Sequence, residues 1–177
     1  MNIMSKNAYE SGKQKMIPAV LVYAFFENKV LMIHRNKKEN DFHEGKWNGL
    51  GGKLNPGETA IDGAVREFEE ESGCITHVDQ WQWVGHLSFP NFKPHKSEDW
   101  SVTVFRAELT KVQTKQLIEV NLEGTLHWVP SSDLLSLPLW EGDPIFLTYL
   151  LKKAPFEGTF FYVDGKLDRF FCNPILC

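Results

Sequence analysis

The chain has 177 residues, 42% of them hydrophobic and 24% charged, which is one domain's worth of sequence with enough core to fold without disulfides or metal staples, and which excludes global disorder. Nineteen Lys and Arg against 23 Asp and Glu leave a net charge of −4, so a basic nucleic-acid-binding surface is not expected, and any phosphate chemistry needs a divalent cation as its positive charge. Three cysteines (Cys74, Cys172 and Cys177) without a CxxC spacing suggest neither a disulfide framework nor a zinc site.

Residues 1–15 are polar, carry no apolar signal-peptide core, and read as a flexible N-terminal arm before a single domain over residues 16–177. No apolar run is long enough to span a bilayer, so a soluble cytoplasmic protein is expected. The runs IPAVLVYAFF and KVLMIHR flank Glu27-Asn28 and predict a hairpin. Residues 36–58, rich in Gly, Asn and Lys, form a long loop of the kind that is usually functional. A helix is predicted from Thr59 to Gly73, with Thr59 as N-cap, Asp62 at the capping-box position, and Ile61, Ala64, Val65 and Phe68 on one apolar face. Strands are predicted over residues 81–89, 100–109 and 125–129. Asp143-Pro144 opens a second helix, with Asp143 as its expected N-cap. A final hairpin turns at Asp164-Gly165. Strands on both sides of each helix argue for a mixed sheet between helices.

The polar face of the first helix is the informative one. Glu67, Glu70 and Glu71 stand at i, i+3 and i+4, so they project together. A solvated acidic face is the commoner meaning of such a pattern. Here the cluster lies near the helix C-terminus, where the macrodipole disfavours anions, and it follows a glycine-rich loop. Hard oxygen ligands on one face suit Mg²⁺ or Mn²⁺.

From Gly52 the string reads Gly, five residues, Glu58, seven residues, then Arg66-Glu67-Phe68-Glu69-Glu70-Glu71-Ser72-Gly73-Cys74. This resembles the box of the Nudix hydrolases, Gx5Ex7REUxEExGU, with all seven fixed letters present. Such a match arises by chance at about 10⁻⁸ or less per position. Phe68 and Cys74 stand at the two bulky-aliphatic positions. The resemblance implies an α/β/α sandwich with a mixed β-sheet. It also implies metal binding by Glu67, Glu70, Glu71 and the Gly51 carbonyl, a general base among those glutamates, and orienting roles for Arg66 and Glu58.

The segment HEGKWNGLGGKLNPGET, the run TLHWVP, and LPLWEGDPIF before KKAPFEGTFFY further resemble the MutT/MutX-like 8-oxo-dGTP diphosphatases and their animal oxidised-purine relatives. That likeness covers roughly residues 17–165. It implies a base-contacting role for Asn48, a further metal ligand at Glu123, and a purine-reading carboxylate at Asp143. Where the animal pattern has adjacent aspartates, Gly142 stands here, with Glu141 one place earlier. Phe42, Trp47, Phe89, Trp100 and Trp140 are candidate stacking residues, though core packing is the commoner role of each. Lys53, inside the box loop, and the Lys37-Lys38 pair are candidate phosphate contacts.

The expected activity is hydrolysis of 8-oxo-dGTP to 8-oxo-dGMP and pyrophosphate, with Mg²⁺ as cofactor and Mn²⁺ as an alternative. The expected partner is a small nucleoside triphosphate bound by a monomer or homodimer, with no stable nucleic-acid complex. An RNA 5′-pyrophosphohydrolase or another nucleoside diphosphate-X hydrolase is the enzymatic alternative; the first would need a basic channel. A non-catalytic nucleotide sensor is a third reading, and the intact box glutamates argue against it.

Overall fold

Alternation along the first long strand, β1 (Lys15–Phe26), settles the layering. Ala19, Tyr23 and Phe25 are buried on one face of the sheet, while Val20, Val22 and Ala24 are buried on the other. A strand buried on both faces needs cover on both. The computed structural model describes residues 7–37 and 43–176; Lys38 and Phe42 lie outside the described residues. No helix among them is long and apolar enough to cross a membrane.

The described strands continue as β2 (Lys29–His34), β3 (Trp47–Asn48), β4 (Trp81–Lys93), β5 (Glu98–Glu108), β6 (Thr125–Pro130), β7 (Phe156–Val163) and β8 (Lys166–Pro174). They form one sheet in the order β3-β2-β1-β5-β4-β7-β8, with β6 pairing β2. β1 runs parallel to β5, and β4 parallel to β7; the other pairings are antiparallel. The sheet is therefore mixed, as expected. Strand β3, two residues long, interrupts the segment expected to be all loop; so short an element carries no periodic signal.

Helix α1 (Ala60–Ser72) covers one face. Its Ala64 and Phe68 join Val20, Val22, Leu31, Ile33 and Leu50, and Phe68 meets Trp81 edge to face at 5.0 Å. The Thr59 hydroxyl caps it, accepting the Asp62 N–H at 3.3 Å and donating to Asp62 Oδ2 at 2.5 Å. Gly73 closes it, donating its N–H to the Glu69 carbonyl at 2.8 Å. Helix α2 (Asp143–Leu151) covers the other face, where Phe146, Leu147 and Leu150 pack with Tyr23, Met32, Leu87 and Phe156.

Of the segment expected to be a flexible arm, residues 7–14 lie against the β4–β5 end of the sheet. Tyr9 hydrogen-bonds Asp99, and Gln14 Nε2 donates to Asp99 Oδ1 at 2.8 Å.

Candidate active site

The loop from Gly49 to Glu58 is laced along β1 before it enters α1. Val22 and Leu50 exchange backbone hydrogen bonds, and the Val20 N–H donates to the Gly52 carbonyl at 2.9 Å. Gly51 between them has φ 138°, and a Cβ there would lie 2.2 Å from the Val20 carbonyl oxygen. Only glycine fits such a backbone. The loop thereby sets the Gly51 amide and the Lys53 carbonyl against the acidic face of α1.

Arg66 organises that face. Its Nε and Nη2 grip Glu58 Oε1 and Oε2 at 2.7 and 2.8 Å, its Nη1 reaches Glu67 Oε1 at 2.8 Å and Glu70 Oε2 at 3.4 Å, and Nη2 also donates to the Lys53 carbonyl at 3.1 Å. The Arg66 bonds, helped by the Asn55 backbone, hold the Glu58 carboxyl down at about 2, and Glu58 and Glu67 push the Arg66 guanidinium up. Glu71 is tied to the loop instead, its Oε2 accepting the Gly51 N–H at 2.8 Å. Burial pushes the Glu71 carboxyl up to about 8, and the charges of Glu123 and Glu67 push the same way.

Glu67, Glu70, Glu71 and Glu123 line one hollow of about 580 Å³ together with Lys37, Asn121 and the apolar rim of Ile118, Val120 and Leu122. Asn121 was not singled out from the sequence. Its amide donates to the Glu71 carbonyl at 3.0 Å while its oxygen accepts the Glu123 and Gly124 N–H groups, which anchors the Glu123 loop to α1. The expected convergence is looser than foreseen. Among the described residues, no three His, Cys, Asp or Glu side chains close into a ready-made metal cage. Arg66 draws Glu67 aside, Arg35 pairs with Glu123, and the Gly51 amide holds Glu71. The donor set nonetheless fits a hard divalent cation: four carboxylates, one of them, the half-buried Glu71, disfavoured as an anion by desolvation and by the charges of Glu123 and Glu67. Gly51, expected to offer its carbonyl, engages the site through its amide.

A second group of polar side chains lies on the α2 side of the sheet. Asn48, on β3, approaches His43 Nδ1 at 3.5 Å, and Trp140 Nε1 donates to the same nitrogen at 3.0 Å. Lys46 Nζ sits 5.4 Å from the Trp140 ring centroid and donates to the Leu139 carbonyl at 2.9 Å. Asp143 departs from its expected capping role: Gly142 is the N-cap, with no side-chain cap bond, and Asp143 is the first helical residue. Its carboxyl turns inward, and burial pushes it up to about 7 against the pull of the Trp140 backbone and Lys46. Its charge reaches the phenols of Tyr23 and Tyr162, neither of which the sequence pointed to. Glu141 points elsewhere, accepting the Leu167 N–H at 2.8 Å.

The other aromatic candidates divide. Trp47 stacks on His34 at 4.7 Å, and Phe89 packs among Phe92, Phe160 and Tyr162. Trp100 carries the ammonium groups of Lys53 and Lys93 at 5.3 and 4.8 Å from its centroid.

The NUDIX domain model matches residues 15–150. The oxidized purine nucleoside triphosphate hydrolase of Mus musculus is 36% identical over 128 residues, covering 72% of this chain and 76% of that protein. Its Danio rerio counterpart is 31% identical over 138 residues, covering 75% and 83%. The MutT crystal structure from Bacillus halodurans shares the fold with a TM-score of 0.76 at 23% identity, covering 89% of this chain and 97% of its own.

Proposed function

The chain belongs to the Nudix family, and on that premise we propose that it is a Mg²⁺-dependent pyrophosphohydrolase of oxidised purine nucleoside triphosphates. Its favoured substrate is 8-oxo-dGTP, converted with one water to 8-oxo-dGMP and pyrophosphate in the service of nucleotide-pool sanitation. The observation that carries this reading is a two-part layout. An acidic hollow on the α1 side suits a metal-bound polyphosphate, and Asn48, Trp140 and Asp143, near the start of α2, present amide, ring and carboxyl groups to a purine. The named activity of the mouse and zebrafish relatives supports it.

When bound, the cation neutralises the triphosphate and polarises the phosphorus. Glu67, Glu70, Glu71 and Glu123 hold it, and Gly51 and Asn121 fix Glu71 and the Glu123 loop. Arg66 and Glu58 orient Glu67. Of Glu67 and Glu70, Glu70 is the better placed to take a proton from water, its side chain being 60% exposed against 14%. Lys37, which lines the hollow, meets phosphate oxygens, and Lys53, whose ammonium lies over the Trp100 ring, keeps that role on sequence grounds. Asn48 donates to and accepts from the purine edge at once, while Trp140 offers a stacking face. Lys38 and Phe42 remain part of the proposed substrate site on sequence grounds. The enzyme works in the cytoplasm as a monomer or homodimer, without a stable nucleic-acid complex.

A panel of 8-oxo-dGTP, dGTP, 8-oxo-dATP, dATP and a 5′-triphosphorylated RNA, resolved by chromatography with Mg²⁺ present, tests the reading. Monophosphate and pyrophosphate from the oxidised purines are expected first. Release of single phosphates, or preference for the RNA, would overturn it.

A further inference from the structure

The residue before Asp143 offers no functional group, and a phenol occupies its place. A Cβ on Gly142 would lie 2.7 Å from the Tyr162 hydroxyl and 2.7 Å from Phe160 Cδ1. The hydroxyl oxygen accepts the Gly142 N–H at 2.9 Å. A phenol oxygen that accepts in this way keeps its own hydrogen for donation. Glu141, the nearest acid along the chain, is turned toward the backbone of β8.

The ring of Tyr162 is fixed on several sides. It meets Trp140 edge to face at 5.9 Å and Phe92 at 6.1 Å, and lies 6.5 Å from Phe89. Trp140 is bonded in turn to His43, which Asn48 approaches. Asn48, His43, Trp140 and Tyr162 thus form a continuous rim beside Asp143, whose charge is felt at the Tyr162 hydroxyl.

We propose that Tyr162 is a specificity-determining residue that donates its hydroxyl hydrogen to a carbonyl oxygen of the bound purine, beside Asp143 and Asn48. The inference rests on the reading of this region as the base site.

The test is equilibrium binding, by calorimetry without metal, of three deoxynucleoside monophosphates to wild type and Tyr162→Phe. 8-oxo-dGMP carries two base oxygens, dGMP carries one, and the 2-aminopurine nucleotide carries none. The variant should bind at least one oxygen-bearing ligand roughly tenfold more weakly and the 2-aminopurine nucleotide as wild type does. Equal weakening of all three would reveal a merely positioning role, and unchanged affinities would show no contact; either overturns the proposal while the base-site reading stands. A wild type that binds none of the three overturns both. Gly142→Ala, whose Cβ displaces the hydroxyl, is the second variant should Tyr162→Phe fold poorly, and the same ligand-selective loss is expected of it.

Discussion

Arg66 holds Glu58 by two parallel hydrogen bonds of 2.7 and 2.8 Å, and the same guanidinium reaches Glu67 at 2.8 Å. One planar cation thereby couples the start of the helix loop to a proposed metal ligand. A bidentate pair fixes direction as well as distance, so the grip on Glu58 sets where Arg66 presents Nη1 to Glu67.

Glu58→Gln should therefore destabilise the fold and misplace Glu67. Loss of a charge-assisted pair at a part-buried site costs about 1–3 kcal/mol. The pH dependence has a definite sign. Arg66 lowers the Glu58 carboxyl from 4.5 to about 2, so its stabilisation is full above pH 4.5 and is lost as pH falls through 2. Melting curves from pH 7 to 2 check this: the gap between wild type and variant should close in acid, and a constant gap would contradict the pairing.

The layers were legible in the sequence because strand-like runs stand on both sides of each helix and the apolar face of α1 repeats at helical spacing, Ile61, Ala64, Val65 and Phe68 being the example; which face each residue of the unbroken apolar run of β1 takes was not, since that run carries no alternation. The carboxylate face was legible, since Glu67, Glu70 and Glu71 are local in sequence. The partners that shape it were not. Asn121 lies fifty positions from Glu71, and Tyr162 reaches Gly142 only because the sheet brings β7 beside the start of α2. Asp143 before Pro is locally ideal as a cap, yet it does not cap α2, because its carboxyl is buried beside the Trp140 backbone, a neighbour that local spacing does not reveal.

Divalent metal should stabilise the protein, because Glu67, Glu70, Glu71 and Glu123 share one hollow. At about 100 times its dissociation constant the ion adds ~2.7 kcal/mol, or roughly 5–11 °C in melting temperature for a chain this size. Scanning calorimetry with millimolar Mg²⁺ against an equal ionic strength of NaCl measures it. An unchanged melting temperature would remove the metal site.

Glu70→Gln and Glu71→Gln should fold and lose activity by a factor on the order of 10² or more, since each keeps its shape but surrenders an anionic oxygen. Glu69→Gln is the control: its side chain is exposed and does not line the hollow holding Glu70 and Glu71. Initial rates at saturating metal decide. Turnover like that of wild type in both variants, or an equal loss in Glu69→Gln, contradicts the assignment.

Asn48→Ala and Asp143→Asn should cost discrimination between 8-oxo-dGTP and dGTP more than they cost phosphate chemistry, because neither residue lines the acidic hollow. A purine edge left unpaired costs ~1–3 kcal/mol, or roughly 5- to 150-fold in selectivity. Asp143 adds a pH signature. Tyr23 from β1, Tyr162 from β7, Lys46 from the loop before β3 and the Trp140 backbone surround its carboxyl, and burial raises it from 3.8 to about 7. The folded state then binds the proton more tightly than the unfolded chain, so wild-type stability falls as pH rises from about 4 to 7 and levels off above. Asp143→Asn removes that slope, and because Asp143 does not cap α2 the variant should melt at or above wild type at pH 8. Selectivity should follow the same titration. Below pH 7 the protonated carboxyl donates to the base; above it the carboxylate only accepts, so the rate ratio on the two nucleotides should change near pH 7 in wild type and stay flat in Asp143→Asn. Identical pH profiles for the two proteins would remove Asp143 from the base site, leaving the acidic hollow and its chemistry untouched.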